Sequence, residues 1–390
     1  MMKKILILLL CLLLTGCGAD ETPVTEPATL HTPTETVPMD TIAAEPETEP
    51  PTQAPADPLE ELAETMTTEE KVGQLFLCRY DRTGAANHIS QYHLGGFVLF
   101  ASDFKDRTPG SISEEMASLQ AASDIPLLLG VDEEGGTVVR VSRYPAFRSS
   151  RFPSPRSVYD SGGLEALLDT EAEKCDLLTS VGLNLNMAPV CDITTDPRAF
   201  MYDRSLGRDP ETTGEIIAAV VNTMTAHEVG SVLKHFPGYG NNADTHVGIA
   251  VDARSLEALE AADLVPFRSG IDAGCGAILV SHTIVTALDD TLPASLSPAV
   301  ISYLREKMGF DGVVMTDDLV MQAITDTYGA GESAVLAVLA GNDMLCASEY
   351  VTQYKAVLAA VQDGRIPMER IDEAVYRVLK WKQQLGLLAE

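Results

Sequence analysis

The sequence has little positive charge and few cysteines. Its 390 residues include 27 Lys and Arg against 57 Asp and Glu, which gives a formal net charge of −30. Because so acidic a surface repels the phosphate backbone of nucleic acids, we do not expect a nucleic-acid partner. Seven cysteines in a chain of this length cannot form a disulfide scaffold. Hydrophobic residues at 45% and charged residues at 22% are ordinary values for a globular protein.

Several common catalytic motifs are also missing from the sequence. There is no Ser-centred nucleophile elbow, no HExxH helix and no P-loop. The turn at residues 132–136 follows a predicted strand but lacks the GxGxxG pattern of a dinucleotide site. The five cysteines after residue 58 have no metal-type spacing, and we expect them to be buried free thiols. These are Cys78, Cys175, Cys191, Cys275 and Cys346.

Residues 1–17 have the pattern of a bacterial lipoprotein signal. Lys3 and Lys4 give a positively charged start, and the apolar run that follows is too short to span a bilayer comfortably. The segment LTGC at 14–17 resembles a lipobox, so we expect cleavage before Cys17 and acylation of that cysteine. The protein is then extracytoplasmic and lipid-anchored to the cell membrane through Cys17. An ordinary secretory signal followed by an unrelated cysteine is the alternative.

Residues 18–58 have the composition of an extended linker. They contain nine Pro, nine Thr, nine acidic residues and neither Lys nor Arg. Such a segment cannot bury a core and repels itself, so we expect a disordered stalk. The remaining residues, 59–390, carry a net charge of −23 and are predicted to form one catalytic domain.

From residue 59 onward, short apolar strands alternate with amphipathic helices. The predicted strands are 73–77, 96–100, 126–131, 183–187, 231–234, 277–280, 312–315 and 343–346. The predicted helices include 164–181, 211–229, 256–273, 298–308, 331–340, 350–362 and 368–385. This alternation indicates a parallel sheet, and eight strands in about 330 residues is the count of an α/β (β/α)8 TIM barrel. A doubly wound open sheet is the alternative.

Polar side chains follow five of these strands at the point where each ends. They are Asp132, Asp203 with Arg204, Lys234 with His235, Ser281 with His282, and Asp317 with Asp318. Because the carboxyl ends of barrel strands converge on one face, we expect a functional pocket there. Carboxylates and cations in one pocket suit the adjacent hydroxyl groups of a polyol or sugar.

Two segments offer the groups that glycoside cleavage requires. Asp317 is a plausible nucleophile because a strand end holds it rigidly and an anion stabilises a developing oxocarbenium charge. The loop at 238–246 contains Asp244 and His246, and an aspartate that orients an imidazole makes a proton shuttle near neutral pH. A simple loop hydrogen bond between Asp244 and His246 is the competing interpretation.

These residues lie in motifs that resemble a known family. Residues 234–240, KHFPGYG, followed by DTH at 244–246, resemble the KHFPGHG…DSH signature of β-N-acetylhexosaminidases of glycoside hydrolase family 3. Three further segments resemble motifs of that family in its order: GVDEEGG at 130–136 with Arg140, APV at 188–190 leading to DRSLGRDP at 203–210, and TDDL at 316–319. The resemblance runs from about residue 59 to residue 388.

The resemblance implies a role for each matched residue. Asp317 takes the position of the nucleophile that forms a covalent glycosyl-enzyme. His246 takes the acid/base position with Asp244 as its partner. Five residues fall on sugar-binding positions: Asp132, Arg140, Arg204, Lys234 and His235. Two successive displacements imply net retention of anomeric configuration, and no metal or organic cofactor is implied.

The chain departs from the family pattern at a few positions. Tyr239 replaces the usual second His, Thr137 replaces a common Arg, and Leu206 stands for the usual Phe. The loop before Asp244 is also about one residue short. These changes leave the predicted chemical groups in place and bear on subsite preference and loop closure.

Other activities remain open from the residues alone. β-Glucosidases and xylosidases of the same family draw their acid/base from a carboxylate in a further domain, which we do not expect in a chain that ends at Glu390. Some relatives pass the sugar to phosphate instead of water. An aldolase that uses Lys234 as a Schiff base and a non-catalytic sugar-binding lipoprotein are more distant alternatives. For the predicted hexosaminidase, an extracytoplasmic location favours peptidoglycan fragments over chitin oligomers or host glycans.

Overall fold

The computed structural model describes residues 57–194, 196–240 and 248–389. Cys17, the predicted signal and residues 18–56 of the predicted linker lie outside the described residues. The last two residues of that predicted linker, Asp57 and Pro58, instead begin the first helix, with Asp57 as its N-cap. The strands are β1 (Phe76–Arg79), β2 (Gly96–Leu99), β3 (Leu128–Val131), β4 (Leu185–Asn186), β5 (Gly230–Phe236), β6 (Val251–Asp252), β7 (Ala277–Val280), β8 (Ile284–Val285), β9 (Val313–Thr316) and β10 (Leu345–Ala347).

Eight of these strands form a nearly closed parallel barrel. They pair in the order β10-β1-β2-β3-β4-β5-β7-β9, and an isolated parallel bridge between Met315 and Met344 joins the two ends of that row. The strands follow one another around the ring in chain order, which confirms the (β/α)8 TIM barrel and excludes a doubly wound sheet. The remaining strands, β6 and β8, pair with each other outside the barrel.

Helices flank the barrel. They are α1 (Pro58–Thr65), α2 (Thr68–Gln74), α3 (Ala85–Tyr92), α4 (Ala101–Phe104), α5 (Pro109–Ala121), α6 (Pro155–Ser180), α7 (Pro210–Ala226), α8 (Leu256–Glu260), α9 (Leu264–Asp272), α10 (Pro298–Ser302), α11 (Gln322–Thr325), α12 (Ala330–Ala340), α13 (Tyr350–Gln362) and α14 (Met368–Gln384). A π-helical turn (Tyr303–Lys307) continues α10. None of the helices within the described ranges is long and apolar enough to cross a membrane.

The sequence predictions miss several element boundaries. The first strand begins at Phe76 instead of 73, because a capping box between Thr67 and Glu70 starts a helix that runs through Gln74. The single helix predicted at 256–273 is two helices, α8 and α9. The helix predicted from 164 begins at Pro155 and is kinked at Gly163, whose φ of 68° leaves the helical region.

A recurrent cap explains where many helices begin. In α1, α5, α6, α7 and α10 a proline occupies the first helical position and follows an Asp, Ser or Thr. In α7, for example, the Asp209 Oδ1 accepts a hydrogen bond from the Thr212 N–H at 2.8 Å. The proline fixes φ and has no N–H, so no donor is left unpaired at the first helical position. The side chain before it accepts a hydrogen bond from another backbone N–H of the first turn.

The inside of the barrel is apolar and closed at its amino-terminal end. Leu77, Val98, Leu128 and Val232 are among the buried side chains of this inner core, and Trp381 of α14 packs with them. A Cβ at Gly276, just before β7, would clash with Trp381 Nε1, so the indole lies directly against the backbone there. Because α14 packs against this end, we expect the site at the carboxyl ends of the strands.

Next to Trp381, the lysine at 382 is buried beneath the barrel. Its Nζ donates a hydrogen bond to Gln74 Oε1 at 2.7 Å, and the residue is 0% exposed. Burial lowers the pKa of Lys382 to about 7, because the charged form loses its hydration.

The five predicted thiols are free. Cys78, Cys175, Cys191 and Cys275 are buried, as predicted, while Cys346 is partly exposed. Cys346 lies in β10, near the carboxyl end of that strand, where the wall of the barrel opens.

Candidate active site

The carboxyl ends of the strands open into one cavity of about 880 Å³. This volume is typical of sites that enclose small molecules. The polar residues on its wall are Arg79, Asp132, Glu134, Thr137, Arg140, Asp203, Arg204, Lys234, His235, Asp317, Asp318, Gln322 and Ser348. The six described residues that the sequence places in the sugar site (Asp132, Arg140, Arg204, Lys234, His235, Asp317) therefore surround a single space, although they belong to four separate parts of the chain: the turn after β3, the loop after β4, the end of β5 and the end of β9.

Lys234 lies at the centre of the polar wall. Its Nζ is 2.7 Å from Asp132 Oδ1 and 2.6 Å from Glu134 Oε1. Burial alone would lower the pKa of Lys234, but the charges of these two carboxylates outweigh it and raise the pKa above the usual value. An amine held in the ammonium form is a poor nucleophile, so this geometry argues against the aldolase alternative.

Glu134 is a buried carboxylate that holds two cations. Its Oε2 accepts a hydrogen bond from Arg204 Nε at 2.9 Å, and its Oε1 accepts one from Arg204 Nη2 at 2.7 Å, in addition to the contact with Lys234. Burial alone would raise the pKa of Glu134, but Lys234 and Arg204 hold it well below its usual range. The carboxylate therefore stays ionised and fixes both cations in place.

His235 is held in one tautomer. Its Nδ1 is 2.7 Å from Asp192 Oδ2, and its Nε2 is 3.2 Å from Arg204 Nη2. Because a guanidinium only donates, the hydrogen-bond network assigns Nε2 as the acceptor and Nδ1–H as the donor to Asp192. The Asp192 Oδ1 also accepts the Tyr239 N–H at 2.7 Å, so this buried carboxylate orients the whole turn after β5.

Asp317 follows β9 and faces the open space. Its N–H donates to Val280 O at 3.0 Å, and its Oδ1 accepts the Asp318 N–H at 2.8 Å. The backbone contact with the neighbouring strand fixes where the side chain starts. The carboxylate consequently lines the cavity from a rigid support, as a nucleophile requires.

The neighbouring Asp318 also lines the cavity, whereas His282 is buried behind this strand end. Asp318 hydrogen-bonds to the Ser348 hydroxyl, and burial raises the pKa of Asp318. His282 is buried, with Nδ1 2.7 Å from Ser295 Oγ and Nε2 3.0 Å from Asp318 O. The sequence places Ser281 and His282 among the converging polar residues, but neither lines the cavity. The contact of His282 with Asp318 O instead supports the backbone beside Asp317, and the Ser281 N–H donates to Phe236 O of β5.

Arg140 reaches the cavity from the turn after β3. Its Nη2 is 3.9 Å from Asp132 Oδ2, and Glu133 holds its backbone through the Arg140 N–H at 2.7 Å. The buried Arg140 Nε has no hydrogen-bond acceptor in the part of the chain that the structure describes. This N–H is therefore an unsatisfied buried donor next to the cavity.

The predicted acid/base pair, Asp244 and His246, lies outside the described residues. On the carboxyl side of that segment, Arg254 pairs with Asp252 at 2.6 Å and with Asp263 at 2.5 Å. Both carboxylates are buried, so the described chain that follows the segment is firmly anchored.

Three site residues are not singled out by the sequence: Glu134, Asp192 and the aromatic Phe200, which lines the cavity. Glu134 belongs to the VDEEGG segment, and its position two residues after Asp132 is the one signal that could have identified it. Within residues 57–194, 196–240 and 248–389, no group of three or more His, Cys, Asp or Glu side chains is placed to hold a metal ion.

The chain is similar to known proteins over most of its length. Residues 67–381 match the family model described as Glycosyl hydrolase family 3 N terminal domain. The chain is 31% identical over 329 residues to Beta-hexosaminidase LpqI of Mycobacterium tuberculosis (strain ATCC 25618 / H37Rv), covering 81% of this chain and 83% of that protein. It is 37% identical over 307 residues to a Beta-hexosaminidase of Xylella fastidiosa (strain M23), covering 76% and 88% of the two chains.

A solved structure has the same architecture. A glycoside hydrolase family 3 β-N-acetylglucosaminidase from Paenibacillus sp. str. FPU-7 superimposes with a TM-score of 0.79 at 32% identity. The match covers 84% of this chain and 64% of that protein, so the chain spans less than two thirds of the Paenibacillus protein.

Proposed function

Because the chain belongs to glycosyl hydrolase family 3, we propose that it is a retaining β-N-acetylhexosaminidase. Its substrates are oligosaccharides with a terminal non-reducing β-linked N-acetylglucosamine. The observation that carries the proposal is the position of Asp317, which lines a cavity whose other walls carry Asp132, Arg140 and Lys234. The naming of curated relatives as beta-hexosaminidases at 31% and 37% identity supports the choice of sugar.

The polar wall is suited to hold one pyranose. The Lys234 ammonium and the Asp132 carboxylate, 2.7 Å apart, offer a donor and an acceptor side by side, which suits two adjacent hydroxyl groups. Arg140 adds a further cation, and His235 and Arg204 form the adjoining wall. Since Glu134 and Asp192 fix these groups in advance, little reorganisation is needed when the sugar binds.

The reaction then proceeds in two displacements. Asp317 attacks the anomeric carbon and forms a glycosyl-enzyme ester, while His246, oriented by Asp244, protonates the departing glycosidic oxygen. His246 next removes a proton from water, which attacks the same carbon and releases Asp317. Each displacement inverts the anomeric centre, so the product retains the β configuration. The carboxylates near the ring stabilise the positive charge that develops in both transition states.

The experiment compares three aryl glycosides on wild type and two variants. We expect 4-nitrophenyl N-acetyl-β-glucosaminide to be hydrolysed, and the β-glucoside and β-xyloside to be poor substrates. Asp317→Ala should lower kcat/KM at least about a thousandfold, and His246→Ala about a hundredfold or more. Asp311→Asn removes an exposed carboxylate just before β9, at the opposite end of the barrel, and serves as the matched control.

Three outcomes would contradict the proposal. Equal or better turnover of the β-glucoside would overturn the sugar specificity, and full activity of Asp317→Ala would overturn the mechanism. Sugar 1-phosphate as the main product in phosphate buffer would indicate a phosphorylase. The first-formed anomer, followed by proton NMR, tests retention directly, because an inverting enzyme would release the α anomer.

We further propose that the enzyme works outside the cytoplasm, lipid-anchored to the bacterial cell membrane through Cys17. The support is the positively charged start, the short apolar run and the LTGC segment at 14–17. At that location peptidoglycan fragments are the expected substrates. Radiolabelled palmitate should be incorporated by wild type and lost in Cys17→Ala, whereas Cys78→Ala should keep the label. Incorporation that survives Cys17→Ala would refute the anchor.

A further inference from the structure

The loop after β4 places an aromatic ring in the wall of the cavity. Phe200 is 37% exposed although it is large and apolar, and it lines the same cavity as Asp317. Its ring centroid is 5.8 Å from that of Tyr239 and 5.9 Å from the Arg204 guanidinium. These contacts hold the ring against the polar site while part of it stays accessible.

The other phenylalanine of the cavity wall has different surroundings. The Arg79 guanidinium lies 4.4 Å from the Phe100 ring centroid and the Arg140 guanidinium 5.6 Å from it. Arg79 is itself fixed by Asp103, 2.7 Å away. Phe100 therefore supports two cations of the polar wall, whereas Phe200 is the more accessible aromatic surface in this part of the cavity.

The topology places Phe200 across the cavity from the nucleophile. In the ring of eight strands, β4 lies three positions away from β9, one short of directly opposite, and Phe200 and Asp317 line the same cavity. In a displacement at the anomeric carbon, the leaving oxygen departs on the side opposite to the attacking carboxylate. The leaving part of the substrate is therefore directed toward the wall that contains Phe200.

We propose that Phe200 forms the platform of an aglycone subsite, where the second pyranose ring of the substrate stacks. This inference rests on the proposed function. A pyranose presents C–H groups on its faces and hydroxyls around its rim, so a flat apolar ring binds the face. The carboxylate of Asp203, exposed in the same wall, can accept a hydrogen bond from the rim. The cavity of about 880 Å³ is also larger than a single sugar ring requires.

The test uses two glycosyl donors that differ only in their leaving group. N,N′-diacetylchitobiose loses a second pyranose, whereas N-acetyl-β-glucosaminyl fluoride loses an ion that cannot contact Phe200. We expect Phe200→Ala to lower kcat/KM for the disaccharide about tenfold and to leave kcat/KM for the fluoride within about twofold. Phe200→Tyr keeps the ring and should retain disaccharide turnover.

A matched control is Leu164→Ala, since Leu164 is 40% exposed but does not line the cavity; both donors should be turned over as by wild type. Equal losses on both donors, or no loss on either, would overturn the subsite. A disaccharide defect that Phe200→Tyr also shows would do the same. If wild type hydrolyses neither donor, the proposed function itself fails and the inference fails with it.

Discussion

Replacing Lys382 with methionine should change the free energy of unfolding by an amount that depends on pH. The folded-state pKa of Lys382 is lowered from 10.5 to about 7, so the unfolded chain binds more protons between these two values. Stability contributed by this site therefore rises as pH increases from 7 toward 10.5. Below pH 7 the lysine is charged in both states, and the penalty for burying the charge is fully present.

The magnitude follows from the same shift. One pKa unit corresponds to about 1.4 kcal/mol. Between pH 7 and pH 9, wild type should gain roughly 2 kcal/mol relative to Lys382→Met. The substitution also leaves Gln74 Oε1 without its donor, which costs about 1–3 kcal/mol independently of pH. The prediction therefore concerns how the difference in free energy of unfolding between wild type and Lys382→Met changes with pH. It does not concern the sign of that difference at any one pH.

Urea unfolding followed by far-ultraviolet circular dichroism at pH 7, 8 and 9 measures this slope. Lys380→Met, on the same helix but with 41% of its side chain exposed, controls for the loss of a lysine and should show a nearly constant difference from wild type. If the difference between wild type and Lys382→Met did not change with pH, the lysine would not be held in a neutral form by burial.

Two further substitutions test the site and the amino-terminal end of the barrel, where Trp381 packs. Glu134→Gln leaves Lys234 and Arg204 without their shared buried carboxylate. It should therefore lower the free energy of unfolding by about 3–5 kcal/mol and reduce kcat/KM. A variant as stable as wild type would contradict this. Gly276→Ala places a methyl group against Trp381 and should destabilise by about 1–3 kcal/mol without affecting KM, measured by urea unfolding and steady-state kinetics.

The barrel could be predicted because its strands are short apolar runs separated by long helical segments. The pattern failed where local capping competes with hydrophobicity. Gly73 and Gln74 precede an apolar run, but the Thr67–Glu70 capping box draws them into α2. None of the helices predicted by residue range lies before residue 122, although Pro58 follows an Asp and Pro109 follows a Thr, the same arrangement that begins α7.

The candidate site could be predicted only as a set of strand ends. The positions of Asp132 and Asp317 follow from where their strands stop, whereas Lys234 lies within β5, which continues to Phe236. The supporting contacts do not, because they join residues far apart in the chain: Glu134 meets Arg204 across 70 residues and Asp192 meets His235 across 43. The sequence shows each of these groups, but only the folded backbone shows which of them meet.

The closure of the barrel by Trp381 has a practical consequence, because it is the one tryptophan in the sequence. The tryptophan fluorescence of this protein therefore comes from the amino-terminal end of the barrel, which is the end remote from the cavity. The emission should shift to the red when the barrel comes apart and stay constant when a sugar binds. Trp381 fluorescence thus reports whether the barrel is folded and does not report whether a sugar occupies the cavity.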